Sequence, residues 1–199
     1  MKNNWDMYAP VYNVFMVKDH RAYATINQRI RKVIAGKKVL ELATGTGIIA
    51  KNVASASDIM KATDASSRMI AQAKRGTYSK NLTFAVADAA DLPYPDHSFD
   101  VIIISNALHI MPHPDKVLQE IDRVLKPKGI LIAPTFVHGN MPIKKRMLSE
   151  GMRVVGFKTQ HKWTPNQYKS FLEGHGWAVK NSRVIEASFP LMYVECIKG

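Results

Sequence analysis

The 199-residue chain is 46% hydrophobic, enough for one domain with a real core and too apolar for a disordered segment. Its single cysteine, Cys196, excludes an internal disulfide framework, and no run reaches the ~18 apolar residues of a membrane span. With no apolar signal core at Met1–Asp6, a cytoplasmic protein is expected. The net charge of +12 is uneven: residues 1–40 hold 8 Lys+Arg against 2 acids and residues 144–184 hold 9 against 2, whereas 41–143 is balanced at 10 and 10. Two basic flanks around a neutral middle point to an anionic partner, which could be a phosphate- or carboxylate-bearing substrate, a lipid surface or a nucleic acid.

In chain order, Trp5–Met16 is aromatic-rich, with Tyr8 and Tyr12 on one face of any helical turn and Pro10 near its start. Asp19 to Ile34 follows as an amphipathic helix: Ala22, Ile26, Ile30, Val33 and Ile34 recur at helical steps, Asp19 is the expected N-cap and Gly36 the stop. Its outer face is basic, as in helices that lie on membranes. Lys37 to Leu42 reads as a buried strand ending in Glu41-Leu42. Ala43-Thr44-Gly45-Thr46-Gly47 is then a small-residue turn into a helix from Ile48. Strand, glycine turn and helix form the first unit of a doubly wound α/β sheet, which binds ligands beyond its strand ends. Gly45 to Ala50 fits the G-x-G-x-x-A dinucleotide fingerprint. Glu41, however, would repel a pyrophosphate and suits a cationic amine.

Ile59 to Asp64 is the second strand, ending in an acid whose two oxygens match a ribose diol. Ser66 caps the next helix, with Met69, Ile70 and Ala73 inward. Leu82 to Asp88 is a third strand, and Leu92-Pro93-Tyr94-Pro95-Asp96-His97-Ser98-Phe99-Asp100 leads into a fourth that ends at Ser105-Asn106. Pro114 to Leu125 is a helix, Lys126–Gly129 a tight turn and Ile130 to Phe136 a fifth strand. Thr164-Pro165 opens another helix, and Trp177–Val184 with Ser188–Ile197 form an antiparallel terminal pair in which Cys196 is a core position. The chain shows no internal repeat, Cys/His metal cluster or G-x-x-x-x-G-K loop, so no metal site is expected.

The run Glu41-Leu42-Ala43-Thr44-Gly45-Thr46-Gly47 resembles the E/D-x-G-x-G-x-G motif of class I S-adenosylmethionine (SAM)-dependent methyltransferases, with Ala43 in place of the first glycine. The Leu-Pro-x-x-Asp-x-Ser-Phe-Asp entry into the fourth strand resembles the same family, as does Leu125-Lys126-Pro127-Lys128-Gly129, where Lys128 replaces a glycine. The likeness covers residues 5–136 by motif and the remainder by strand order. It implies a Rossmann-like, doubly wound seven-stranded sheet with an antiparallel last strand and helices on both faces. It further implies methyl transfer from SAM, with S-adenosylhomocysteine as product. The cofactor residues it implies are Glu41, Ala43, Thr44, Gly45, Gly47, Asp64, Ala65, Met69, Asp88, Ala89, Ser105 and Asn106, with Asp88 receiving the adenine amino group and Met69 packing on the ring.

Residues 1–36 would form a lid or cap resembling the leaders of the ubiquinone/menaquinone-type branch, 37–199 the SAM-binding domain, and 137–163 the substrate side with its Lys144-Lys145-Arg146 cluster. No residue is an unambiguous catalytic base; His109 is the first candidate, with His138 and Tyr8 behind it. The expected acceptor is a small, anionic molecule. The alternatives are a phospholipid amine at a membrane surface or a non-catalytic SAM- or dinucleotide-binding module; nucleic acid fits least. Oligomeric state is not encoded in these motifs.

Overall fold

A computed structural model of the chain describes residues 19–138 and 160–199. Tyr8, the aromatic leader and the Lys144–Arg146 cluster lie outside the described residues. α1 (His20–Val33), β1 (Lys38–Leu42), α2 (Ile48–Val53), β2 (Ile59–Asp64), α3 (Ser67–Ala73) and β3 (Leu82–Val86) form the first half. β4 (Phe99–Ile104), α4 (Pro114–Val124), β5 (Leu125–Ile132), β6 (Thr135–Phe136), α5 (Pro165–Gly174), β7 (Trp177–Ile185) and β8 (Leu191–Lys198) form the second. The sheet order is β3-β2-β1-β4-β5-β8-β6, with β7 on the other side of β8. β1 to β5 pair in parallel. β8 runs antiparallel to β5, β6 and β7. Because the two-residue β6 continues the β5 line along β8, the sheet is the expected seven-stranded array with its fifth strand broken once. Among the described residues no helix is long and apolar enough to cross a membrane.

Alternation along the strands sorts the core onto two faces. Leu40, Leu42, Ile102 and Ile104 pack with α4 and α5, whereas Val39, Val101 and Ile103 pack with α1, α2 and α3. This is the period-two pattern of strands covered on both sides. Ile26 and Ile30 of α1 are fully buried, each contributing about 1.5–3 kcal/mol by transfer from water. α1 is therefore part of the core rather than a detachable cap.

Asp19 does not cap α1. Its side chain makes no cap bond and instead accepts from the Ser188 N–H at 2.7 Å and the Ser188 hydroxyl at 2.8 Å, tying the start of α1 to the β7–β8 connection. Ser66 does cap α3 by accepting from the Met69 N–H, and Thr164 with Gln167 forms a full capping box on α5.

The expected turn at Lys126–Gly129 is a kink inside β5, where the register with β4 shifts between Phe99 and Val101. Lys128 takes φ +64°, a left-handed conformation that costs a β-carbon-bearing residue on the order of 1 kcal/mol. A β-carbon on Gly129 would stand 2.6 Å from Leu125 Cγ and 2.8 Å from the Lys126 carbonyl. Lys128→Gly should therefore stabilise the fold by roughly 1 kcal/mol, and Gly129→Ala should destabilise it by roughly 1–3 kcal/mol. Chemical denaturation of the two variants checks both signs.

Candidate active site

The strand order reverses between β1 and β4, so their carboxyl ends border the crevice in which open α/β sheets hold ligands. After β1 the chain turns through Ala43 at φ +51°, Gly45 at +57° and Gly47 at +78°. Gly47 is needed for packing: a β-carbon there would lie 2.9 Å from two atoms of the Phe84 ring. The turn is closed from beneath by Glu41, which is 2% exposed. Its carboxyl accepts from the Thr44 hydroxyl at 2.9 Å and from the Ala50 N–H. Burial pushes its pKa up to about 8, against the lowering effect of those hydrogen bonds. Glu41 thus holds the turn together from within the core, and burial favours its neutral form.

Asp64, at the end of β2, accepts the Gly45 N–H on one oxygen at 2.8 Å and the Ser66 N–H on the other at 2.9 Å. Ala65 beside it is exposed, while Thr44, Met69 and Ala89 are buried at 7%, 2% and 8%.

Asp88 is exposed and accepts the Ala90 N–H at 2.9 Å through Oδ1. The loop after it is clamped to α4 by Arg123, which donates to the Tyr94 and Leu92 carbonyls at 2.8 and 3.0 Å and pairs with Asp96 and Glu120. Glu120 in turn accepts the Leu92 N–H at 2.7 Å. Asp100 pairs with Lys126 at 2.8 Å and accepts the Lys38 N–H at 2.9 Å. Asp96 and Asp100, before and at the start of β4, therefore make structural contacts.

At the end of β4, Asn106 takes φ +52°. Its N–H donates to the Pro134 carbonyl at 2.8 Å, and its Nδ2 donates to the Tyr23 hydroxyl at 2.7 Å. Asn106 Oδ1 and Ser105 Oγ are buried without a hydrogen-bond partner among the described residues. Sequence reasoning placed Tyr23 in a helix without seeing this contact. The available signal was a tyrosine on the apolar face, whose hydroxyl needs a partner once buried.

Comparison with known proteins identifies the architecture. Residues 40–133 match the methyltransferase domain family. The chain is 34% identical over 143 residues to the demethylmenaquinone methyltransferase of Paenarthrobacter aurescens, covering 72% of this chain and 56% of that protein. It is also 34% identical over 131 residues to the ubiquinone/menaquinone biosynthesis C-methyltransferase UbiE of Laribacter hongkongensis, covering 63% and 53%. The chain thus spans about half the length of the curated relatives it matches. The chain bound to the Trm112 methyltransferase activator of Haloferax volcanii superposes with a TM-score of 0.80 at 19% identity, covering 100% of this chain and 99% of that one; it shares the fold. Residues 40–133 thus match a methyltransferase domain, and the chain is similar to methyltransferases of the ubiquinone/menaquinone type.

The crevice fits the cofactor of such enzymes on chemical grounds. The carboxylate of Asp64 is the group that suits a ribose diol, and the Ser105 and Asn106 oxygens, unpartnered among the described residues, suit an ammonium donor, since leaving them unpaired costs about 1–3 kcal/mol each. Across the floor lies a histidine cluster. His109 is 6% exposed, with Nδ1 3.0 Å from the Thr135 hydroxyl. Burial lowers its pKa to about 4, with further lowering from the charges of His138 and His161. His138 is lowered as well, by burial and then by Lys162, and its N–H donates to the Trp163 carbonyl at 2.7 Å. The His109 carbonyl accepts the N–H groups of Gln160 and His161, each at 3.0 Å. His161 stacks on Trp163 at 4.9 Å, its Nε2 buried and unpartnered, and Trp163 stacks on Phe171 at 4.6 Å. His161 and Trp163 were missed as site residues; the signal was the interleaving of histidines and aromatics from His161 to His175. Among the described residues no group of three His, Cys, Asp or Glu could hold a metal.

The two buried titratable groups give stability opposite slopes with pH. Glu41 is raised in the fold from 4.5 to about 8, so its contribution is full below pH 4.5 and is lost as pH rises through 8. His109 is lowered from 6.5 to about 4, so its contribution is full above pH 6.5 and is lost as pH falls through 4. Glu41→Gln should abolish the fall in stability between pH 6.5 and 8.5 and raise stability at the alkaline end by a few kcal/mol, on the order of 1.4 per pKa unit. Thermal melts of wild type and variant across pH 4–9 check it.

Proposed function

We propose that the chain is a methyltransferase that moves the methyl group of SAM onto a small hydroxylated aromatic acceptor. The observation that carries this reading is the placement around the strand-order reversal of the Asp64 carboxylate and of the Ser105 and Asn106 oxygens that have no partner among the described residues. Bound SAM supplies an electrophilic methyl carbon on a sulfonium. For the chain's own part, Asp64 accepts the ribose hydroxyls, the second oxygen of Asp88 accepts the adenine amino group, and Ser105 and Asn106 accept the methionine ammonium. Gly45 and Gly47, with Ala43 and Thr44, shape the turn against the cofactor; Glu41 acts through Thr44. Residues 37–199 form the SAM-binding domain, and α1 joins it as a structural wall.

The acceptor side supports a neutral, ring-bearing molecule over the anionic one expected from net charge. Burial favours the neutral forms of His109 and His138, and a flat ring could extend the stack that His161 begins on Trp163. The curated relatives named for demethylmenaquinone and ubiquinone/menaquinone C-methylation favour a hydroxylated ring. Aligning the attacking atom with the methyl carbon is the main protein contribution to such a displacement. His109, with one ring nitrogen on Thr135, offers the other to an acceptor hydroxyl and can take its proton as the hydroxyl becomes the nucleophile-activating oxyanion.

Calorimetry with SAM and S-adenosylhomocysteine on wild type, Asp64→Ala and Asp88→Ala tests the cofactor assignment. Micromolar binding, weakened at least tenfold (about 1.4 kcal/mol) in each variant, is expected; folded wild type that binds neither ligand rejects it. The histidine assignment predicts a rate profile without an acid limb near pH 6.5. Turnover of a demethylated quinol should hold level from pH 8 to 5 and fall only toward 4, where His109 takes up its proton. A half-maximal rate near pH 6.5 in wild type would remove His109 from that role.

A further inference from the structure

Cations from the two basic flanks of the sequence meet on one surface between α1 and the β7–β8 pair. α1 carries Arg29 and Lys32 from the first flank, and edge strand β7 carries Arg183 from the second; the three border one cavity of about 350 Å³. None takes part in any of the four ion pairs found among the described residues. Arg29 is held in place without being neutralised: its guanidinium lies 5.8 Å from the centre of the Tyr193 ring. The Tyr193 hydroxyl donates to Glu195 Oε1 at 2.7 Å, so the one carboxylate in the cavity is partly spoken for by a neutral partner. Three cations gathered around one acid leave an uncompensated positive field that favours an anion.

We propose that this groove binds a small phosphorylated polyol. Arg29 and Arg183 approach from different elements, and guanidinium forks match the oxygens of a phosphate in a way that point charges do not. The Thr25 hydroxyl and the amides of Gln28 and Asn181 complete the lining; with the second oxygen of Glu195 they offer donors and acceptors suited to the hydroxyls of the esterified group. Val33 is the one apolar lining residue, so an acyl chain or aromatic ring finds little to bury against. The volume equals roughly ten waters at about 30 Å³ each, more than a bare phosphate ion fills.

The site is independent of the methyl-transfer reading, and one sample reports on both. Amide chemical shifts of the full chain would be followed while glycerol 3-phosphate, inorganic phosphate and glycerol are added in turn, followed by S-adenosylhomocysteine. Glycerol 3-phosphate should give saturable shifts at Arg29, Lys32 and Arg183, bind several-fold tighter than inorganic phosphate and weaken as salt rises from 50 to 300 mM. Glycerol should give none. Arg183→Ala and Lys32→Ala should each weaken the phosphate ester at least tenfold while leaving the melting temperature and S-adenosylhomocysteine binding unchanged. Absence of shifts at these residues, equal affinity in wild type and Arg183→Ala, or inorganic phosphate binding as tightly as the ester would overturn the proposal. So would attachment to phosphatidylglycerol vesicles, or to single-stranded RNA, through these residues without a response to the soluble ester.

Discussion

The carboxylate of Asp64 is the contact on which the upper end of the sheet depends. Two parallel strands, β1 and β2, finish side by side, and each must turn away with backbone groups that no ladder can satisfy. One side chain satisfies both turns, taking the Gly45 N–H at 2.8 Å and the Ser66 N–H at 2.9 Å. A neutral amide in its place would offer only one good acceptor atom, whereas a carboxylate serves both turns. Glu41 supports the same turn from inside the core through Thr44. The geometry that would meet a ribose is therefore set before any ligand arrives.

Backbone strain gathers at the same rim. Ala43 and Asn106, neither of them glycine, hold φ of +51° and +52° on either side of the crevice. Such conformations persist where the surroundings over-determine them, and at Asn106 the surroundings are visible: its N–H is fixed by Pro134 and its amide by Tyr23. That last contact gives α1 a part in the site. Buried along the sheet by Ile26 and Ile30 and anchored at its start by the Asp19–Ser188 bonds, α1 delivers the tyrosine that aims the Asn106 side chain.

The two sides of the crevice differ in electrostatic character. Carboxylates and orphaned oxygens line the cofactor side, which suits a ligand carrying ammonium and sulfonium charge. Imidazoles whose neutral forms burial favours and stacked aromatic rings line the other side, which suits a ring bearing hydroxyls. The first set comes from the ends of β2, β3 and β4, and the second from the segments after Asn106, after β6 and before α5.

Read alone, the sequence determined the features that short stretches encode: strand and helix periodicities, the turn of Ala43–Gly47, the Ser66 and Thr164 caps, and the acids that close β2 and β3. From these the doubly wound order followed, because parallel strands with helical crossovers have few right-handed arrangements. The tertiary structure alone decided where polar side chains spend their hydrogen bonds. Asp19 caps nothing locally and reaches Ser188, 169 positions away; Asn106 is steered by Tyr23, 83 positions away; and Glu41 is buried against Thr44. The acids of the stretch entering β4 became clamps of a loop, and two distant basic flanks became one groove. Each of these outcomes is a choice among several donors or acceptors of equal chemistry, settled by which one the packed sheet brings within 3 Å, and no local window of residues contains that distance.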